Sequence, residues 1–380
     1  MDRSPPHDAS LLASKPHSGE LPLTVAIPHY RHRRHLEVVI ASLLEQNRDD
    51  FEILISDDAS PDDSREVLPQ MLSQSGRPFS YYLQHSNLGY DGNVRFCLSA
   101  ARGRHVLLLG NDDALKGPAV VEDLLSRLRD TDWPEVAVTN FSPWDEPAVT
   151  TRRATKTGVL GSGPQTALSH FRSLSFVSGL IFSREAARRH ETDRWDSSIY
   201  YQIYLGCRIV AGGGRIAAID VDAILKDVRV EGHKVPTYAS RLASREWTLR
   251  PRHTGLDSVV RVTADAILPM IDQDGRSRTL RSIGKQILTL NYPFWVMEYR
   301  RLGNISAGVG VARDLWPGRL LKEYELTVWD RAALWCYYAG GTLFSLLLPP
   351  RVLMWANSKV APMVRRRAQE TVGEHHTSSR

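Results

Sequence analysis

The sequence has few cysteines and no apolar segment near its N-terminus, and each absence bears on the class of protein. Its three cysteines, Cys97, Cys207 and Cys336, lie far apart in a chain of 380 residues and lack metal-ligand spacing. They predict neither a zinc site nor a disulfide framework, and they suit a reducing compartment. The N-terminus lacks the apolar core of a signal peptide and is rich in proline, serine and histidine. We therefore predict a cytoplasmic protein with a disordered leader over residues 1–20.

Two common phosphate-binding motifs are also absent. After the first predicted strand, over residues 23–28, the chain continues from Pro28 as PHYRHRRHLE without a glycine. This excludes the glycine-rich turn of dinucleotide-binding folds, and no GxxxxGK[ST] motif occurs elsewhere. The formal net charge of +5 is mildly basic. It suits a phosphorylated ligand or an anionic membrane surface and is too weak to indicate nucleic acid.

The sequence does contain a strand-like apolar run, HVLLLG, that stops at Asn111, Asp112 and Asp113. A continuous apolar run of this length is typical of a central strand in a parallel sheet. In open α/β sheets, ligands bind outside the carboxyl ends of the strands. Acids in this place also cap helices, so one such strand would be weak support for a ligand site.

A second strand-like run, FEILIS, ends in the same way at Asp57 and Asp58. The next acids have a simple explanation, because Ser60 is a good helix cap and Pro61 suits the first helical position. Asp57 and Asp58 precede that predicted cap, so helix capping does not account for them. Two strands that end in acids predict one shared ligand pocket.

Strand-like and helix-like segments alternate through the first half of the chain, as in a parallel sheet with helical crossovers. We predict an α/β domain over residues 21–235, with a mostly parallel sheet flanked by helices. The later segments are helical, apolar and rich in tryptophan and tyrosine. They predict a helical C-terminal region over residues 236–370, followed by a disordered tail over residues 371–380.

Residues 332–348 carry no charge, and their length is at the lower end of the roughly 17–25 residues that span a bilayer. Three interpretations stay open: a buried helix, a membrane-surface or re-entrant segment, and a membrane span. Arginine-rich flanks and aromatic residues keep peripheral membrane contact among them.

The acids at the strand ends also indicate how the charge of a ligand would be neutralised. If the ligand carries a diphosphate, its charge must be neutralised without a glycine-rich loop. Mg²⁺ or Mn²⁺ can bind one or two carboxylates together with diphosphate oxygens. The pocket therefore predicts a divalent cation that links the acids to the ligand.

Three blocks of the sequence carry a family resemblance. LTVAIPHYRHRRHLEVVIASLLEQ, FEILISDDASPDD and NLGYDGNVRFCLSAARGRHVLLLGNDDAL resemble, in order and spacing, the nucleotide-sugar-binding half of a family 2 glycosyltransferase with the GT-A fold. Within that family, the form of the third block is similar to abequosyltransferase-like enzymes of bacterial surface polysaccharides. The resemblance covers residues 22–130 strongly and residues 170–230 loosely.

The resemblance assigns roles residue by residue. It implies that Asp58 binds the base, that Asp113 is the metal-binding acid of the DXD motif, and that Asp112 is its middle residue near the sugar. Asn111 replaces the first acid of that motif and is a neutral oxygen ligand. The remaining implied nucleotide-pocket residues are Pro28, Tyr30, Asp57, Asn87, Gly89 and Asn93.

The implied reaction is attack of an acceptor hydroxyl on the anomeric carbon, which inverts it and needs a general base. The family supplies that base from a late acidic motif, but the aligned position here holds Tyr201 or Gln202. Asp196 is the nearest acid and is our predicted base. Glu191, Asp193 and Asp227 are alternatives, and Asp196 could instead cap the following helix.

These inferences predict a metal-dependent, inverting glycosyltransferase that uses a nucleoside-diphosphate sugar in cell-surface polysaccharide biosynthesis. Its predicted partners are the sugar donor and a glycan or lipid-linked acceptor, at the cytoplasmic membrane face. Two alternatives are a non-catalytic sugar-nucleotide-binding protein and a sugar nucleotidyltransferase.

Overall fold

The computed structural model describes residues 9–17, 19–232, 255–347 and 349. The predicted tail over residues 371–380 lies outside this part of the chain. So do the first eight residues of the predicted leader and most of residues 348–370.

Strands and helices largely alternate between residues 9 and 226, as the sequence predicts. The strands are β1 Ala9–Lys15, β2 Leu23–His29, β3 Phe51–Asp57, β4 Phe79–Gln84, β5 His105–Leu108, β6 Ala114–Leu115, β7 Val136–Pro143, β8 Gly158–Gly161, β9 Leu180–Ser183 and β10 Ile216–Lys226. The helices between them are α1 Arg33–Leu44, α2 Ser64–Gln74, α3 Gly89–Ala100, α4 Val120–Asp130, α5 Gly163–His170, α6 Arg184–Arg189 and α7 Tyr201–Ala211.

These strands form one ten-stranded sheet in the order β1-β4-β3-β2-β5-β9-β7-β10-β6, with β8 paired to β10. The central run β4-β3-β2-β5 is parallel, which confirms the predicted α/β class. Strand β9 is antiparallel to both β5 and β7. Because β2, β3 and β5 are parallel neighbours, their carboxyl ends open on the same edge.

Apolar side chains pack on both faces of this sheet. The apolar positions of α4 that share one helical face are all buried, as amphipathic spacing predicts; they are Val120, Val121, Leu124, Leu125 and Leu128. Strand β3 is buried at every position, as expected for a central strand covered by helices on both sides.

The N-terminal segment differs from the prediction. Residues Ala9–Lys15, inside the predicted disordered leader, form β1 and pair antiparallel with β4. An edge strand offers a row of unpaired backbone groups, and a short segment such as ASLLASK can pair with it despite its weak composition. Leu11 and Leu12 stay about half exposed, so backbone pairing rather than burial holds this strand.

The C-terminal part is helical, as predicted. It contains α8 Leu256–Ile267, α9 Gln273–Gln286, α10 Tyr292–Arg301, α11 Ile305–Asp314, α12 Pro317–Leu320 and α13 Val328–Leu347. A π-helical segment, Ile287–Asn291, joins α9 to α10. Among the described helices, none is long and apolar enough to cross a membrane.

Candidate active site

The carboxyl ends of β2, β3 and β5 bring most of the predicted site residues to one edge of the sheet. His29 at the end of β2 is the register partner of Asp57 at the end of β3. Asn111 follows β5 and contacts His29, with 3.1 Å between the amide nitrogen and ring Nδ1. The predicted shared pocket is therefore present as a cluster of polar groups.

Asp57 is fully buried and has two local partners. Its Oδ1 accepts a hydrogen bond from the Ser60 backbone N–H at 2.8 Å, and its Oδ2 accepts one from the Tyr81 hydroxyl at 2.6 Å. Helix α2 begins at Ser64 after the cap position Asp63, so the predicted cap at Ser60 is wrong. The Ser60 N–H is instead fixed by Asp57, which holds the turn after β3.

Asp58 ties the end of β3 to the start of α3. Its two oxygens accept hydrogen bonds from the backbone N–H groups of Leu88 at 2.6 Å and Gly89 at 3.0 Å. The Asn87 amide donates to the Asp58 carbonyl at 3.2 Å. Burial raises the pKa of Asp58 to about 6, although these two N–H donors oppose the rise. The predicted residues Asn87 and Gly89 thus meet Asp58 directly.

Asn93 joins the two strand ends from the first turns of α3. Its amide nitrogen donates to the carbonyls of Ser56 at 3.0 Å and His29 at 3.4 Å. Its amide oxygen is buried and has no hydrogen-bond partner in the described part of the chain. An amide in this place fixes the spacing of β2 and β3.

Pro28 lies at the end of β2, and Tyr30 lies in the loop after it, which has a strained backbone. Pro28 pairs in register with Ser56, and Tyr30 is 38% exposed with the Arg31 guanidinium 4.9 Å from its ring centre. Arg31 and His32 both have left-handed φ values, 61° and 65°, which non-glycine residues adopt at an energetic cost. The Arg31 N–H donates to Ser60 Oγ at 2.9 Å, which helps to hold this conformation.

Asn111 supports the same loop as a hydrogen-bond donor. Its amide nitrogen lies 3.1 Å from the Arg31 carbonyl as well as 3.1 Å from His29 Nδ1. Burial lowers the pKa of His29 to about 4, so the ring is neutral near pH 7 and Nδ1 can accept. The opposite nitrogen, Nε2, lies 2.8 Å from Ser64 Oγ and is then the protonated donor.

Asp113 is buried beside two other acids. Its Oδ2 accepts from the Ser178 hydroxyl at 2.5 Å, and its Oδ1 accepts from the Asp227 backbone N–H at 2.9 Å. Burial, together with the nearby charges of Asp112 and Asp227, raises the pKa of Asp113 to about 7. A cation would relieve this unfavourable concentration of negative charge.

Arg153 supports Ser178 and was missed in the sequence, where its polar surroundings suggest an irregular loop. It is 8% exposed, and its guanidinium donates to the carbonyls of Thr139, Phe176 and Ser178 at 2.5, 2.8 and 2.7 Å. The guanidinium carbon also lies 5.4 and 5.5 Å from the ring centres of Phe141 and Phe176. Arg153 therefore fixes the segment that presents a hydroxyl to Asp113.

Tyr90, from the NLGYDGN block, is a further residue that the sequence did not single out. Its side chain is 37% exposed overall. Burial of its hydroxyl end raises the pKa of Tyr90 well above its ordinary value, with further contributions from Asp91, Asp113 and Asp112 among others. Tyr90 therefore lies within electrostatic range of the acids that follow β5.

Asp196 lies on the loop before α7 and pairs with an arginine of α3. The Arg95 guanidinium donates to Asp196 Oδ2 at 2.7 Å and contacts Glu191 at 3.4 Å. Asp91 fixes the same loop, because its carboxylate accepts from the backbone N–H groups of Ile199 at 2.6 Å and Tyr201 at 3.0 Å. The structure places Asp196 next to α3, where its carboxylate pairs with Arg95.

Neither of the two residues that align with the family's acidic motif can act as the general base. Tyr201 and Gln202 are each 1% exposed. Burial raises the pKa of the Tyr201 hydroxyl above its ordinary range, and the Gln202 amide donates to the Ser175 carbonyl at 3.2 Å. Both side chains serve packing within the core.

The described part of the chain holds no group of three or more histidine, cysteine, aspartate or glutamate side chains arranged to hold a metal. A cation at Asp113 would therefore take one or two protein carboxylates and obtain its other ligands from phosphate and water. This is the usual coordination of Mg²⁺ at phosphate sites. The residues present fit such a group, with Asp113 and the adjacent Asp112 as its protein ligands.

Residues 24–184 match the family model for glycosyl transferase family 2, which confirms the predicted resemblance to this family over that segment. Among curated relatives, it is 34% identical to abequosyltransferase RfbV of Salmonella typhimurium over 95 residues, 24% of this chain and 28% of the relative. It is 33% identical to a GalNAc(5)-diNAcBac-PP-undecaprenol beta-1,3-glucosyltransferase of Campylobacter jejuni over 98 residues, 26% of this chain and 32% of the relative. The matches thus span about a third of the length of these relatives.

Solved structures share the fold at low sequence identity. The Staphylococcus aureus protein TarS, residues 1–349 in complex with UDP-GlcNAc, superposes with a TM-score of 0.55 at 14% identity, over 85% of this chain and 91% of that one. The mannosyltransferase PcManGT of Pyrobaculum calidifontis, in complex with GDP-Man and Mn²⁺, gives 0.50 at 16% identity, over 87% and 88%. These neighbours confirm the predicted GT-A-type fold.

Proposed function

We propose that this protein is an inverting glycosyltransferase that moves a sugar from a nucleoside diphosphate to a glycan or lipid-linked acceptor. The observation that carries the proposal is the convergence of Asp58, Asn111 and Asp113 at one sheet edge within the family 2 domain. The abequosyltransferase, the undecaprenol-linked beta-1,3-glucosyltransferase and a putative teichuronic acid biosynthesis glycosyltransferase among its relatives support polysaccharide biosynthesis as the setting.

In this proposal, the nucleoside lies against Pro28, Tyr30 and the Asp58 region. Each Asp58 oxygen accepts one hydrogen bond from a backbone N–H group. A second lone pair on each oxygen can accept a hydrogen bond from a ring N–H of the base. Asp57, Asn87, Gly89 and Asn93 hold that region in place through the contacts described above. The diphosphate and sugar then extend towards Asp112 and Asp113.

Asp113 and Asp112 would hold the divalent cation, Mg²⁺ or Mn²⁺. When bound, the cation would neutralise charge on the diphosphate leaving group. Ser178 and the Asp227 backbone N–H hold the Asp113 carboxylate in a single orientation. The GDP-Man and Mn²⁺ complex of a protein with the same fold supports this arrangement.

Asp196 is proposed as the general base for the acceptor hydroxyl. Its carboxylate is held next to α3 by the Arg95 guanidinium, 2.7 Å from Asp196 Oδ2. Asp227 is the alternative, since its backbone contacts Asp113 and its Oδ2 lies 2.8 Å from Lys226 Nζ.

The acceptor is proposed to approach from the side of Trp195, the neighbour of Asp196. A cavity of about 770 Å³ lies between that residue and the C-terminal helices. Arginines and acids line it in balanced number, with Trp195 and Tyr324 among them, which suits a polar, uncharged ligand such as a sugar chain.

A non-catalytic sugar-nucleotide-binding protein is the second candidate. The burial of Tyr201 and Gln202 at the aligned base position favours it, because neither side chain can act as a base. This alternative predicts donor binding without turnover.

The test of the proposed function is a thermal-shift screen of purified protein with UDP-, GDP-, dTDP- and CDP-sugars, each with Mn²⁺ and with chelator. A ligand that binds the folded state raises the melting temperature by mass action. We expect one nucleotide class to raise it, and only when the metal is present. A cooperative melt that no donor shifts would contradict the proposal.

A second prediction concerns Asn111, which the resemblance makes a metal ligand and the structure makes a hydrogen-bond donor. Asn111→Asp restores the family's acid but cannot donate to His29 Nδ1 or the Arg31 carbonyl. We expect donor binding about tenfold weaker, or about 1.4 kcal/mol, measured by titration calorimetry with Mn²⁺. Asn304→Asp is the matched control, since the Asn304 side-chain oxygen accepts from the Ala307 N–H at 3.2 Å and aspartate retains that contact.

The same variant should change the titration of His29. In the native protein its pKa is lowered to about 4, so the stability contributed by neutral His29 is present above about pH 6.5 and is lost as the pH falls towards 4. A carboxylate at position 111 should raise this pKa, which the NMR shifts of the His29 ring would report. Tighter metal-dependent donor binding in Asn111→Asp would show instead that position 111 is a metal ligand.

A further inference from the structure

Helix α13, Val328–Leu347, has an unusual distribution of side chains between its two faces. Every exposed residue of this 20-residue helix is uncharged and apolar or glycine. The large ones, which we call the α13 outer face, are Val328, Trp329, Leu343, Phe344, Leu346 and Leu347, with exposed fractions from 45% to 83%. A surface helix of a protein surrounded by water normally shows the opposite pattern.

The polar groups of α13 face the protein and hold the helix in place along its length. Near its start, buried Asp330 accepts from the Ser277 hydroxyl at 2.5 Å and pairs with Arg281 at 2.9 Å. Near its end, the Thr342 hydroxyl lies 2.7 Å from the Tyr292 hydroxyl. Because both ends are fixed to α9 and α10, the helix cannot leave the domain without breaking buried polar contacts.

The α13 outer face is long enough to form a membrane-surface element, and its exposed apolar residues follow one another along the helix. A helix of this length extends about 30 Å. Contiguous exposed apolar surface on this scale marks an interaction site. Because α13 stays packed on its inner side, the geometry suits a helix that lies in the plane of a membrane surface.

Two basic side chains contact α13. Lys285 Nζ is 5.9 Å from the ring of half-buried Tyr337, and Arg300 donates to the carbonyl of buried Ser345. Further along the chain, the sequence of residues 350–380 contains six basic residues and two acids. This net positive charge complements an anionic lipid surface.

We propose that the α13 outer face binds the surface of an anionic lipid bilayer, with the helix in the membrane plane. This proposal names the membrane partner of the proposed glycosyltransferase but rests on the C-terminal helices alone. Its consequence for that function is that the protein would be held at the membrane surface, where lipid-linked acceptors lie.

The test is flotation of the full chain with phosphatidylcholine vesicles, with and without phosphatidylglycerol. We expect binding that needs phosphatidylglycerol and weakens at high salt. The double substitution Leu343→Ser and Leu347→Ser should weaken it about tenfold or more. The matched control is Leu11→Ser with Leu12→Ser, which removes two leucines of 46% and 45% exposure from edge strand β1.

Three results would overturn the proposal. The Leu343/Leu347 variant could bind vesicles as well as the native protein, or the control pair could lose binding to the same degree. The native protein could also form a dimer that this variant abolishes, without any vesicle binding, which would make the face a contact between copies. The thermal shift with donor and Mn²⁺, measured on the same samples, separates a failure of the docking proposal from a failure of the proposed function.

Discussion

Asp113→Asn is expected to lower sugar transfer by about 10³-fold, which corresponds to about 4 kcal/mol of transition-state stabilisation. The substitution removes the negative charge that would hold the cation but keeps the size of the side chain. The amide oxygen can still accept from the Asp227 N–H, and the Ser178 hydroxyl can turn to accept from the amide nitrogen. The measurement is initial rate of transfer or donor hydrolysis with Mn²⁺, together with the melting temperature of the variant.

The control for this variant is Asp130→Asn at the exposed end of α4. Asp130 pairs with Arg127 at 3.1 Å, and the two side chains are about half exposed, so its loss should change neither the rate nor the melting temperature appreciably. Full activity of Asp113→Asn in the presence of chelator would rule out the proposed metal-dependent reaction.

Asp196→Asn is expected to lower kcat by about 10²-fold to 10³-fold while donor binding stays unchanged, because a general base acts in the chemical step. Asparagine can still accept a hydrogen bond from Arg95, so the loop before α7 should keep its conformation. The measurements are kcat, its pH profile and the thermal shift with donor and metal. The rise in rate with pH that belongs to the base should disappear in the variant.

Glu191→Gln is the comparison variant, because Glu191 also contacts Arg95, at 3.4 Å, and is itself an alternative base, so that a fall in kcat in this variant alone would assign the role to Glu191. It separates loss of a base from loss of an ion pair to that arginine. If kcat is unchanged in Asp196→Asn and falls in Asp227→Asn, the role belongs to Asp227. Asparagine is a suitable substitution for Asp227, because this residue has a left-handed φ of 61° and asparagine adopts that conformation more readily than most residues.

The architecture of the proposed nucleotide-binding half can be predicted from local sequence patterns, that is, from patterns formed by residues close together in the chain. Continuous apolar runs predicted the central strands β3 and β5, and helical spacing predicted the buried face of α4. The acids after these strands could be placed at one edge because parallel strands share their direction. The exact bounds of the strands are harder to predict from the sequence. The apolar run from His105 to Gly110 forms a strand that ends at Leu108, because the end of a strand depends on hydrogen bonds to residues distant in the chain.

The partners of the polar side chains could not be predicted in the same way. Asp58 contacts residues 30 and 31 positions later in the chain, and Asp91 contacts residues more than 100 positions later. Local spacing holds no information about such pairs. For the same reason, the sequence predicts Asn111 only as a neutral metal ligand, and the hydrogen bonds of its amide nitrogen with His29 and the loop after β2 become visible only in the fold.

The sequence by itself determined the α/β class, the edge of the sheet that holds the acids, and the helical C-terminal region, because hydrophobic period and strand direction act over short distances. Only the tertiary structure decided how the polar groups are used. It buried Arg153 under the segment that carries Ser178, paired Asp196 with Arg95, and turned the polar residues of α13 inward so that its apolar face is exposed. These outcomes depend on which distant elements pack together, and burial then decides which polar groups must find partners.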